Sequence, residues 1–96
     1  MAELQKTRVD SAETGEVFVR FLMMQQQQAL LALGRHPNPP PGVPPRNLGL
    51  AKVFLEQLEM IRAKTAGNLD PAEAQLLERV LDGVRAGYAE ESKKSA

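Results

Sequence analysis

Six of the chain's seven prolines fall in one stretch, Arg35-His36-Pro37-Asn38-Pro39-Pro40-Pro41-Gly42-Val43-Pro44-Pro45-Arg46. No helix and no central strand survives such a run, because each proline lacks a backbone N–H and its ring crowds the turn before it. The run therefore separates a first helix from the elements that follow it. Residues 35–46 themselves read as an extended, polyproline-like strap, which covers more length per residue than a helix and could run back along the domain.

Before the strap, Glu16 to Leu33 contains neither proline nor glycine and is made mostly of good helix formers. At about 100° per residue, Val17, Phe18, Val19, Phe21, Leu22, Met23 and Met24 point almost all the way round the axis, interrupted only by Arg20. A helix apolar on every side must be surrounded, either by the rest of its own domain or by a second chain. Gln25 to Gln28 then place one amide on each side. They read as a polar belt, with an amide ladder between paired first helices as the sharper alternative. Gly34 closes this helix.

After the strap, Asn47 is placed to cap a second helix whose apolar side is Leu48, Leu50, Val53, Phe54, Leu55, Leu58 and Ile61. It ends at Thr65-Ala66-Gly67-Asn68-Leu69-Asp70-Pro71-Ala72-Glu73. Gly67 can take the left-handed conformation at low energetic cost, Asp70 can cap the next helix, and Pro71 suits its first position. Glu73 completes an Asp-x-x-Glu capping box, and Leu69 sits where a hydrophobic staple to Ala74 would begin. These residues make a corner between two helices of an antiparallel hairpin. The third helix, Pro71 to about Ala89, shows one apolar stripe, Leu76, Leu77, Val80, Leu81, Val84 and Tyr88, opposite Glu78, Arg79, Asp82 and Arg85. Gly83 and Gly87, four apart, fit either a close helix contact or a fraying end.

The expected fold is all-α: three helices, the second and third paired as a hairpin, with the proline strap between the first and second. Residues 1–14 are expected to form a disordered tail, 15–89 a single helical domain and 90–96 a second disordered tail. Twelve basic and twelve acidic side chains cancel, so no overall field draws the chain to nucleic acid or anionic lipid. The most apolar run is broken by Arg20 and four glutamines, which argues against a membrane span, and no signal-peptide pattern opens the chain. With no cysteine there is no disulfide or thiolate chemistry, which is compatible with a reducing cytoplasm.

Sites for chemistry are scarce. His36 is the sole histidine and sits beside Pro37 with no triad partner at a suggestive spacing. No Gly-rich phosphate loop occurs, and no metal or cofactor is expected. Pro41-Gly42-Val43-Pro44-Pro45-Arg46 has the Pro-x-x-Pro-x-Arg form read by aromatic-lined grooves, although a run this rich in proline generates the form by chance.

Phe21-Leu22-Met23-Met24 with Gln27-Gln28-Ala29-Leu30-Leu31-Ala32-Leu33-Gly34, and Leu58-Glu59-Met60 with Lys64-Thr65-Ala66-Gly67-Asn68-Leu69, occur in that order and are followed by Glu73, Leu76-Leu77 and Tyr88. Over about residues 16–89 this pattern resembles a small bacterial family, domain of unknown function number eighteen forty-four. The resemblance implies a bacterial, cytoplasmic, helical protein and carries over no catalytic or ligand-binding residue.

The functional expectation is a non-catalytic interaction or assembly module that self-associates as a dimer, with an unidentified protein partner also open. A core this small secures only about 3–5 kcal/mol alone, and Phe18, Phe21, Leu22 and Met24 are the expected contact residues. The alternative is a small-ligand or enzymatic role in a pocket shared between subunits.

Overall fold

The computed structural model describes residues 11–43 and 45–95. They form three helices, α1 (Ser11–Leu33), α2 (Leu48–Lys64) and α3 (Pro71–Ser95), and no strand occurs among them. The proposed 1–14 tail lies outside the described residues as far as residue 10. From Ser11 onward it is already helix.

Each boundary has a local cause. α1 stops where Gly34 takes φ 74°, with Gly34 N donating to the Leu31 carbonyl at 3.1 Å and Arg35 N to the Leu30 carbonyl at 2.8 Å. That pair of bonds is the Schellman arrangement, which satisfies carbonyls a helix end would otherwise leave open. α2 opens on Asn47, whose side-chain oxygen accepts from Leu50 N at 3.0 Å. It closes at Thr65, whose N and hydroxyl both donate to the Ile61 carbonyl. Asn68 N then donates to the Thr65 carbonyl, and Gly67 sits in this turn at φ 82°. α3 opens on a reciprocal box: Glu73 N donates to the Asp70 carboxylate at 2.9 Å, and Asp70 N donates to the Glu73 carboxylate at 3.0 Å.

Contacts along the helices give their directions. Arg62 pairs with Glu78 and, one turn earlier on α2, Glu59 pairs with the later Arg85, so α2 and α3 run in opposite senses. Ala32 and Leu33 at the end of α1 cluster with Leu48 and Ala51 at the start of α2, so those two also oppose. Gly15 lies beside Glu73 and Leu33 beside Gly87, so α1 and α3 run alike. The bundle is up, down, up. Its centre is Leu22, Ala29, Leu58, Leu77, Val80, Leu81 and Val84, all buried, with Phe18, Phe21, Phe54, Leu55 and Leu69 packed round them. Each fully buried Leu or Val contributes roughly 1.5–3 kcal/mol relative to an exposed one.

Two expectations fail. The proline segment does not run back along the domain. Asn47 N donates to the Ala32 carbonyl at 2.8 Å, so residues 35–46 leave the end of α1 and return to it, as a compact surface loop does. The chain can afford this because α2 packs antiparallel to α1 and needs to start where α1 stops. The 90–96 segment is not a tail either, since α3 continues through Ser95 and Glu91 is only 6% exposed. Its polar composition hides a partner that comes from elsewhere in the chain.

Candidate interaction face

That partner is the loop. Arg35 and Arg46 stand at its two ends and converge on the last turns of α3: Arg46 Nη1 lies 2.7 Å from Glu91 Oε1, and Arg35 Nη2 lies 2.7 Å from Glu90. Arg35 Nη1 also approaches Glu91 at 3.7 Å, and Lys94 reaches it at 3.1 Å. Hydrogen bonds from Arg46 and then Lys94 hold the Glu91 carboxyl below its ordinary pKa, against a smaller opposing effect of burial. The two arginines at the ends of the loop latch it to α3, and Lys94 of α3 itself adds a third cation around the Glu91 carboxylate. Arg46 is thereby committed within the fold, so the Pro-x-x-Pro-x-Arg form lacks the free arginine its readers bind. His36 is spent locally, its Nδ1 accepting from Asn38 N at 3.0 Å.

No nucleophile, base and acid converge among these groups. Among the described residues no cluster of three or more His, Asp or Glu side chains could hold a metal ion, and no helix is long and apolar enough to cross a membrane.

What the surface does offer is apolar. On α1, Val17 is 56% exposed and Met24 64% exposed; with half-buried Phe21 and Leu31 and exposed Gln28 they follow the spacing 17, 21, 24, 28, 31. Alternating steps of four and three place residues on one seam of a helix. α2 repeats the pattern at 50, 53, 57, 60 and 64, where Leu50, Val53 and Met60 are exposed apolar residues, Gln57 is an exposed amide and Lys64 ends the row. The two seams lie on the same side of the bundle, because Gln28 and Leu31 of α1 and Leu50 of α2 line one hollow of about 280 Å³. Val43 and Pro45 of the latched loop supply its remaining wall with Ala32 and Asn47.

The expected contact residues divide. Met24 stands fully on this face, and Phe21 lies at its inner edge. Phe18 packs half-buried against the core. Leu22 is 0% exposed within a single chain and has no surface left for a partner, because α1 lies against both other helices along the line through Leu22, Ala29 and Leu33. From the sequence Val17 is only one of the residues that point all round α1, and Leu50 and Val53 belong to the apolar side of α2; the alternating three-four spacing, which also takes in Leu31 and Met60, is the signal that separates the face. Gly67, Leu69, Asp70, Pro71 and Glu73 lie at the α2–α3 turn, where Asp70 and Glu73 share a hollow with Glu16 and Arg20 of α1. On that turn Leu69 packs against the core.

No curated protein and no solved structure matches the chain. A family model described as Domain of unknown function (DUF1844) matches residues 16–90. Those residues hold all of the core, both seams and the loop, and with so much of its length covered the chain belongs to that family.

Proposed function

We propose that the chain is a non-catalytic assembly module that self-associates through the joint face of α1 and α2. The observation that carries this reading is the pair of exposed rows, Val17 to Leu31 and Leu50 to Lys64, lying side by side and apolar or amide at every position but Lys64. Val17, Met24, Leu50, Val53 and Met60 alone expose on the order of 450 Å², more than half of the roughly 800 Å² that each partner contributes to a standard interface, before Phe21, Leu31 and the two amides are added. A surface whose one charge lies at the end of a row meets its own copy with little like-charge repulsion, and pairing about a two-fold axis lets one patch serve both chains. The absence of cysteine suits a cytoplasmic location.

Sedimentation equilibrium over a hundredfold concentration range tests the reading. The parent is expected to shift from monomer towards dimer mass, and Met24→Lys to remain monomeric with unchanged helical circular dichroism. A monomer mass for the parent at every concentration sinks it.

A further inference from the structure

We infer that the two copies pair head to tail, about a two-fold axis crossing α1 at Met24 and α2 at Gln57, so that Val17 of each chain seats beside Leu31 at the hollow under the other's proline loop. The inference rests on the self-association proposed above and adds the arrangement that makes each hollow complete only with a partner residue.

Three observations converge on this arrangement. Each seam is balanced about its middle residue, with Val17 and Phe21 on one side of Met24 and Gln28 and Leu31 on the other, and with Leu50 and Val53 before Gln57 and Met60 and Lys64 after it. Leu31 and Leu50 share the hollow, and α1 and α2 run oppositely with the same rise of about 1.5 Å per residue. Seven residues from that shared level, Met24 and Gln57 are therefore level with each other, and one axis passes both. It sets Val17 against Leu31 of the other chain, Val53 against Met60, and Leu50 against Lys64, whose alkyl stem can lie on the leucine while its ammonium stays in water.

The second observation is the hollow itself. A space of about 280 Å³ walled by Leu31, Ala32, Val43, Pro45 and Leu50 lies at one end of the face, while Val17, a 56% exposed apolar side chain, lies at the other. Head-to-tail pairing fills both hollows. Pairing about an axis parallel to the helices would bring both hollows together, empty, at one end and both Val17 side chains to the other.

The third is charge. Lys64, exposed, ends the α2 row, while Arg20 lies in a separate hollow with Glu16, Asp70 and Glu73. Parallel pairing would bring the two Lys64 side chains to the same end of the face, whereas the head-to-tail arrangement separates them to opposite ends of the dimer and avoids the repulsion.

The chain has no cysteine, so introduced ones report without background. Disulfides require Cα atoms within about 4.4–6.8 Å. Full-length Val17→Cys and Leu31→Cys chains, one carrying a mass tag, are mixed and oxidised, beside each variant alone and Met24→Cys alone. The expected result is a disulfide-linked heterodimer from the mixture, little crosslink from Val17→Cys alone, and a homodimer from Met24→Cys. Should Leu31→Cys lose its helical signal, Val53→Cys mixed with Met60→Cys replaces that arm. A Val17→Cys homodimer, or dimer mass in sedimentation with no crosslink in the mixture, overturns the head-to-tail arrangement and leaves self-association standing. A monomer mass in reducing buffer overturns both.

Discussion

Single residues decide where the helices stop, and these were the most legible part of the chain because capping depends on neighbours three or four positions away. Gly67 stands at φ 82° with nothing within 4 Å of where a Cβ would go, so any penalty for substituting it comes from the backbone angle alone. Gly67→Val is expected to cost on the order of 1–2 kcal/mol, and Asp70→Ala about 1 kcal/mol through the lost bond to Glu73 N. Urea midpoints equal to the parent's for both variants would contradict this. The Gly83 and Gly87 pair could not be resolved from spacing, since both readings place glycine on the same helix edge. The structure separates them: a Cβ at Gly83 would meet nothing within 4 Å, whereas one at Gly87 would lie 3.1 Å from Leu33 Cδ1. Gly83→Ala should therefore gain roughly 0.5–1 kcal/mol from helix propensity. Gly87→Ala should gain distinctly less, or lose, because Leu33 has to give way. Equal gains in denaturant unfolding would show that the α1–α3 approach at Gly87 is not tight.

Elements depend on contacts distant in sequence, and here the reading from sequence went wrong in an instructive way. Nothing near Glu91 in sequence calls for burial; Arg35 and Arg46 lie more than forty residues earlier, and a polar helix end looks the same whether it is latched or loose. The exposed Pro39, Pro40 and Pro41 take no part in the latch. Replacing all three with Ser should leave the helical circular dichroism nearly intact, and loss of most of that signal would mean that the loop supports the core. The latch should instead respond to acid. Because the pKa of Glu91 is lowered in the fold, its contribution is fully present above the ordinary carboxylate pKa and is lost as pH falls through the lowered value. Acid titration followed by NMR should move the Arg46 side-chain resonances together with the Glu91 carboxyl. In Glu91→Gln the Arg46 shift should lose that pH dependence; if it keeps the dependence, another acid holds the loop.

At the scale of the whole molecule, α1 was legible as apolar all round, but which of its sides faces inward is set by where α2 and α3 settle. Once they sit along Leu22, Ala29 and Leu33, the opposite seam through Val17 and Met24 is left in water. Pairing through that seam, as proposed, would tie stability to concentration. If the dimer forms only from folded chains, its formation draws the unfolding equilibrium towards the native state, by about 1.5 kcal/mol per chain at total chain concentrations hundredfold above Kd, since the partner comes from the same pool. For a domain of this size that amounts to a rise of several degrees in Tm. Met24→Lys lacks the linkage but keeps the monomer core, since Met24 touches mostly solvent within one chain. The two proteins should therefore melt together in dilute solution and separate as concentration rises, the parent climbing and the variant staying level. A gap between them that is the same at every concentration would mean that the lysine perturbs the monomer itself, and a parent Tm independent of concentration would remove the support that pairing is argued to give the fold.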